Sequence, residues 1–356
     1  MKQVLKHKYV SGFIKFGLAA GILGYLIYDA SRKEDFRQML EQPKDFGAIA
    51  AGFGLFLSAV LVSFFRWRLL VCALGFPFSP KDALRLGFLG YLLNFVAPGG
   101  VGGDLFKAVA IARKYPGRRA QAAATVVLDR IIGLYALFLV ASTAVLADNL
   151  WFAETREVRI AAKATIIGTV LGAVGIIVLL IPGFTSGRLS RMLAKLPKVG
   201  HIFHQLLEAV RMYRERLGTI GLTLLMSIGL HILSVFGFAM LGKSIVGASP
   251  AMSEQFVIVP LAMFAGALPI TPNGLGTFEA AIEYLYPRMS AEHVPAARGL
   301  LVSLMYRLVT IGIALVGVVI YFFSRREVSA TLHDAEEPAD DLAHNLAPVT
   351  DTGMHP

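Results

Sequence analysis

The sequence predicts an all-α polytopic membrane protein. It should have six spanning helices and two re-entrant helical hairpins in an inverted-topology repeat, with both termini in the cytoplasm (N-in and C-in). Three observations carry this. The 356-residue chain is 56% hydrophobic and only 16% charged, where a soluble domain carries about a quarter charged residues. Six segments are long and apolar enough to span. Two more apolar stretches are broken at their centres by Ala97-Pro98-Gly99-Gly100-Val101-Gly102-Gly103-Asp104 and Ile270-Thr271-Pro272-Asn273-Gly274-Leu275-Gly276-Thr277-Phe278-Glu279. These two runs look like one motif written twice, each ending in a carboxylate. Lipid offers no water to free backbone groups, so broken backbone at membrane depth survives only where it is buried in protein or lines a cavity. A matched pair of such breaks is the best sequence pointer to a transport site between repeats.

In chain order, residues 1–11 are basic and 12–28 apolar without a small-x-small cleavage pattern, which reads as a first span rather than a signal peptide. Gly21 and Gly24 suit close helix packing there. Residues 29–46 have mixed charge and suit a short interfacial helix outside. The next span is 47–65, followed by Phe64-Phe65-Arg66-Trp67-Arg68, an interfacial anchor with positive flanks. The stretch 83–112 is the first hairpin. Spans follow at 120–147 and 161–182. Residues 186–217 mix Leu, Met and Phe with basic groups and read as an amphipathic helix on the cytoplasmic face. Span 218–242, hairpin 253–286 and span 298–323 complete the membrane domain, 1–326. Repeat one covers about 47–147, repeat two about 218–323, and 161–182 links them. The tail, 327–356, is acidic and polar without apolar period and is expected to be disordered.

Charge orients this layout. With the N-terminus inside, the inner segments hold 21 Lys and Arg and the outer ones 9, as the positive-inside rule requires. The net charge of +10 belongs to these loops and does not call for nucleic acid. The first hairpin then opens from the cytoplasm and the second from outside, so the two units are inverted. A lone Arg follows each Pro/Gly motif at nearly the same distance: Asp129-Arg130-Ile131-Ile132-Gly133-Leu134 matches Tyr306-Arg307-Leu308-Val309-Thr310-Ile311 in placement.

Ionisable residues inside spans mark functional sites by default. Arg130 and Arg307 are candidates to bind an anionic headgroup, because a guanidinium fork matches phosphate oxygens. N–H groups around Gly99, Gly100, Gly102 and Gly103, and around Asn273, Gly274 and Gly276, would add anion contacts. Asp104 and Glu279 would pair with the arginines when substrate is absent, or bind an amine or coupling cation. The competing reading is that these four charges only staple the hairpins to neighbouring spans. Asp129 does not face Arg130 on a helix and is expected to meet Lys107 or Arg113. Arg66 could meet a lipid phosphate at the cytoplasmic entry. Gly100-x-Gly102-Gly103 lacks the strand–turn–helix context of a dinucleotide fingerprint. His201 and His204 lack a third ligand, and the single Cys72 excludes an internal disulfide. No cofactor or metal is expected.

Together, Phe65-Arg66-Trp67, the run from Asn94 to Asp104, Asp129-Arg130 and the run from Leu268 to Glu279 resemble the lysylphosphatidylglycerol synthase transmembrane family, also called the flippase-like domain. The resemblance covers about residues 10–325. It implies a lipid-handling protein of the bacterial or archaeal inner membrane. Fused members carry a cytosolic aminoacyl-transferase domain, and the domain is thought to move aminoacylated phospholipid between leaflets. Here only the acidic tail follows Arg326, so synthase activity is not implied. Relatives are also associated with polyprenyl-linked lipids.

Three functions are therefore weighed. The first is a lipid flippase whose cavity passes the headgroup of an anionic, aminoacylated or polyprenyl-linked lipid while the tails stay in bilayer. No ATP-binding motif is present, so movement would be passive or ion-coupled. The second is a non-transporting subunit that scaffolds a lipid- or glycan-modifying enzyme. The third, an intramembrane enzyme, ranks last because no nucleophile–base pair or metal set stands out.

Overall fold

In the computed structural model, residues 17, 20–32, 37, 41–96, 102–115, 117–152, 156–180, 211–245, 249–268, 270–290 and 294–336 are described. Asp45 starts the first long helix, α1 (Phe46–Ala73), its carboxylate accepting from the backbone N–H of Gly47 and Ala48 at 2.8 and 3.1 Å. Side-chain capping of this kind satisfies donors the helix cannot. Ser79 and Asp82 form a reciprocal capping box at the start of α2 (Pro80–Val96), with Pro80 at the first helical position, where its missing N–H costs nothing. Then come α3 (Gly102–Lys114), α4 (Arg119–Ala147), α5 (Arg156–Leu180), α6 (Leu217–Lys243), α7 (Met252–Ala267), α8 (Thr277–Met289) and α9 (Ala296–Glu336).

Among the described residues, five helices are long and apolar enough to cross a membrane: Phe46–Ala73, Arg119–Ala147, Arg156–Ile177, Arg211–Lys243 and Ala296–Phe323. They match five of the expected spans. Residues 20–31 are helical, and residues 12–16, 18 and 19 of the expected first span lie outside the described residues. So do the amphipathic segment at 186–210, residues 33–36 and 38–40, and tail residues 337–356. One boundary differs. The last helix does not stop at Arg326 but continues to Glu336.

The two broken stretches each give a pair of short helices, α2 with α3 and α7 with α8, of 17 and 13, and 16 and 13, residues. At 1.5 Å per residue these arms fall short of a ~30 Å hydrocarbon core. The arms of the first pair touch at glycines. A Cβ on Gly103 would lie 1.9 Å from the Gly90 carbonyl oxygen, so no other residue lets the backbones cross so closely. In the second pair a Cβ on Gly274 would meet the Gly266 carbonyl oxygen at 2.5 Å, and Gly274 itself has φ +66°.

Helices α1 and α6 form the centre and run antiparallel. Asp45 N–H donates to the Ser244 carbonyl, Gly52 meets Leu241, Phe56 meets Gly237, and Arg66 reaches Ser227. Each helix supplies a glycine socket for the other's large side chain. In membranes, where lipid is as apolar as Leu, close packing of this sort holds helices together. Around this pair the hairpins are exchanged. The first packs on α9, where Gly317 lies against Phe88 and Leu92, and the second packs on α4, where Phe138 meets Phe264 edge to face. Phe56, Phe238, Phe278 and Tyr306 form one aromatic cluster with ring centroids 4.7–5.6 Å apart. It ties α8 and α9 to the central pair.

Candidate functional site

Matching positions carry the charges. Asp104 is the third residue of α3 and Glu279 the third of α8; Arg130 is the twelfth of α4 and Arg307 the twelfth of α9. Each carboxylate pairs with its own arginine. Arg130 Nε donates to Asp104 Oδ2, and Arg307 Nε donates to Glu279 Oε1 at 2.8 Å.

The two pairs differ in their surroundings. Glu279 has no exposed surface and the Arg307 side chain is 8% exposed. The other Glu279 oxygen accepts the Gly276 N–H at 2.7 Å. Arg307 also donates to the carbonyls of Asn273, at 3.3 Å, and Gly274. It thereby clamps a turn in which Asn273, Gly274 and Gly276 all have positive φ. This pair is a closed staple. Asp104 is also buried, yet the Arg130 side chain is 51% exposed, and Lys107 stands 4.0 Å from the other Asp104 oxygen.

Between the tips of the two hairpins lies a cavity of about 410 Å³. Its polar wall is Arg66, Asp104, Lys107, Asp129, Arg130 and His231 from the first half and α6, with Thr271, Asn273 and Gly274 opposite. Its apolar wall includes Leu134, Leu137, Met263 and Leu268. Arg130 lines it and Arg307 does not, although the sequence treats them alike.

Asp129 hydrogen-bonds neither Lys107, whose charge it faces in the same wall, nor Arg113. It binds Arg66 through two bonds, Nε to Oδ1 at 2.8 Å and Nη2 to Oδ2 at 2.9 Å. Arg66 is buried at the cavity wall rather than anchored at the interface, because α1 runs on to Ala73. Its third nitrogen donates to Ser227 at 2.8 Å, so one guanidinium joins α1, α4 and α6. Gly133 is small for this reason: a Cβ there would lie 3.2 Å from Arg66 Nη1.

Three of the expected anion donors are already engaged within the protein. Gly103 N–H donates to the Asn94 side chain, Gly276 N–H to Glu279 and Gly274 N–H to the Thr271 carbonyl. Gly102 begins α3, while Gly99 and Gly100 lie outside the described residues. A sequence profile for the lysylphosphatidylglycerol synthase TM region matches residues 12–317. The chain belongs to this family. No curated protein matches it. The matched region contains α1 to α8, α9 as far as Gly317 and every residue that lines the cavity.

Sequence reasoning missed several buried or bonded groups, of which His231 and Lys107 line the cavity. His231 has Nε2 3.0 Å from the Gly133 carbonyl, which fixes the proton on Nε2 and leaves Nδ1 without a partner. A lone His in an apolar span gives no pattern to read. Lys107 was expected beside Asp129 and not beside Trp67, yet its ammonium lies 5.2 Å from the Trp67 ring centroid, a cation–π contact. Arg298, counted with the outer loop, is buried and donates to the carbonyls of Gly242 and Ile245 at 2.9 and 2.8 Å. Arg118 does the same at the other end of the fold, donating to the carbonyls of Leu74 and Gly75.

Proposed function

We propose that this chain is a lipid flippase of a bacterial or archaeal cytoplasmic membrane. The headgroup of an anionic, aminoacylated or polyprenyl-linked lipid enters the cavity between the hairpin tips while its tails remain in the bilayer. One observation carries this reading: both broken segments meet at a single cavity whose polar wall holds a half-exposed arginine. Its volume is in the range of small-molecule sites. That suits a headgroup and not a pair of acyl chains.

In this reading Arg130 is the headgroup contact. Its fork exchanges Asp104 for phosphate oxygens, while Lys107 keeps the released carboxylate neutralised. Arg66, neutralised by Asp129, braces the wall behind it. Glu279 and Arg307 position the second tip. The antiparallel α1–α6 pair and the exchanged hairpins support an inverted repeat, with both termini inside and the hairpins opening to opposite sides. Rocking of one half on the other would then give alternating access.

The test is lipid scrambling in proteoliposomes with a headgroup-labelled phosphatidylglycerol. Arg130→Ala should abolish it in a protein that inserts and folds normally. Wild-type scrambling by that variant would remove the headgroup site.

A second reading has one observation in its favour. The closed Glu279–Arg307 staple suits a rigid, non-transporting scaffold for a lipid- or glycan-modifying enzyme. Such a protein would show no scrambling with any lipid.

A further inference from the structure

The cavity between the hairpin tips has an uneven charge count. Among the described residues that line it, Arg66, Lys107 and Arg130 are cations, and Asp104 and Asp129 are carboxylates. His231 counts as neutral, because its Nε2 proton goes to the Gly133 carbonyl and its Nδ1 has no partner. Arg66 and Asp129 cancel through two bonds of 2.8 and 2.9 Å. That leaves Asp104 shared. Arg130 donates to its Oδ2, and the Lys107 ammonium stands 4.0 Å from its Oδ1. Two cations thus hold one carboxylate. The pair of the second hairpin, Glu279 and Arg307, is closed on itself and lies outside the lining. Charge inside a membrane is expensive unless it is paired. A wall short of one anion is therefore suited to a ligand that brings one.

Given a lipid headgroup in this cavity, on which the inference rests, we propose that it is a singly charged phosphodiester, otherwise uncharged and hydroxylated. When its phosphate takes the Arg130 fork, Asp104 passes to Lys107. Each cation of the wall then has one anion: Arg130 the phosphate, Lys107 Asp104, and Arg66 Asp129. Other headgroups break this match. An aminoacylated lipid brings ammonium groups, and no carboxylate is left for them, since both oxygens of Asp129 are held by Arg66. A zwitterionic lipid meets the same lack with its single cation. A phosphomonoester or diphosphate brings further negative charge, for which the wall has no further cation. The uncharged Asn94, Thr271 and Asn273 of the lining offer donors and acceptors to hydroxyl groups and neutralise nothing. A glycerophospholipid and a polyprenol-linked sugar phosphate can both carry this diester, differing only in tails that stay in the bilayer.

The experiment uses the full chain in neutral detergent at about pH 8, where a histidine with an ordinary value of about 6.5 is neutral. Binding is read by native mass spectrometry. At least one of two diesters, dioleoylphosphatidylglycerol or a polyprenyl phosphoglucose, should bind at least tenfold tighter than dioleoylphosphatidylcholine, lysylphosphatidylglycerol or a polyprenyl monophosphate. The tighter of the two diesters identifies the tail. Glycerophosphoglycerol, the same diester without tails, should not displace it at millimolar concentration. Lys107→Gln leaves the wall neutral with Asp104 still on Arg130, and should remove the preference; Lys107→Arg should keep it. Asp104→Asn adds one net positive charge to the wall and should turn the preference toward the monophosphate. The lipid series on the unaltered chain decides even where a variant fails to fold. Equal affinity across that series, tighter binding of lysylphosphatidylglycerol, full displacement by the tail-free diester, or a preference unmoved in folded Lys107→Gln would overturn the proposal. This inference and the flippase reading fail separately. No scrambling with the diester preference intact would refute the flippase and leave the ligand. Scrambling of lysylphosphatidylglycerol as fast as the diester would refute the ligand and leave the flippase.

Discussion

Arg307→Ala and Arg130→Ala should separate folding from transport. In the first variant Glu279, with no exposed surface, loses both bonds from Arg307 and keeps only the Gly276 N–H. The carbonyls of Asn273 and Gly274 lose their donor as well. Removing one partner of a buried ion pair costs about 3–5 kcal/mol. In the second variant Asp104 faces the cavity and keeps Lys107 at 4.0 Å. The lost arginine is half exposed, and pairs of that kind are worth about 0–1 kcal/mol. The difference of roughly 2–4 kcal/mol is measurable by SDS titration of the protein in mixed micelles. Arg307→Ala should unfold at clearly lower SDS fraction, and Arg130→Ala close to wild type but without scrambling. Arg307→Met combined with Glu279→Gln should recover most of the loss, because no uncompensated charge remains. Equal unfolding midpoints for the two alanine variants would refute the division into staple and contact.

Arg130→Lys should restore scrambling only in part, since an ammonium lacks the bidentate fork; full restoration would show that charge alone suffices. Gly103→Ala should destabilise by about 1–3 kcal/mol through overpacking against the Gly90 carbonyl, whereas Gly54→Ala, with nothing within 4 Å of its Cβ, should unfold like wild type. In a Cys72→Ser background, Arg119→Cys should react with an impermeant thiol reagent only from the cytoplasmic side and Ser290→Cys only from outside; labelling of both from one side would make the two halves parallel. Burial pushes the Asp82 carboxyl up, but hydrogen bonds from Ser79 and Lys114 outweigh it and set the group below its ordinary 3.8. A depressed carboxylate stabilises the fold above its unfolded value and loses that contribution as pH falls through the folded one. The stability gap between wild type and Asp82→Asn should therefore shrink below about pH 4, and a gap constant down to pH 2 would contradict this.

The spans were legible because hydropathy is a property of each segment by itself. The end of α2 at Val96 and the break at Pro272 were legible because proline and glycine act locally. The Asp104–Arg130 and Glu279–Arg307 pairs followed from the cost of charge in lipid. What failed was partner choice across the fold. Arg66 sits beside Trp67 at the end of an apolar run, the pattern of an interfacial anchor. Only the continuation of α1 to Ala73 draws it inside to Asp129. The difference between Arg130 and Arg307 was invisible too, since their local sequences are alike. Exposure is decided by what packs opposite: the cavity for one, the turn at Asn273 and Gly274 for the other. His231 and Arg298 had no motif to announce them, and both are held by backbone carbonyls that any sequence would supply.

That unlike treatment of like positions has a consequence for the proposed cycle. Two halves that descend to the same charge pair show it here in two conditions, one shut against a turn and one ajar over a cavity. In the proposed cycle these two conditions would be the beginning and end states through which each half passes. Trading these conditions across the α1–α6 axis would shut Arg130 and unlock Arg307, carrying the opening to the other face of the membrane. The Gly52 and Gly237 sockets lie on that axis, where a rocking motion displaces atoms least. A cross-link between α1 and α6 at these glycines should therefore be tolerated by transport, and one between a hairpin tip and the opposite half should freeze it.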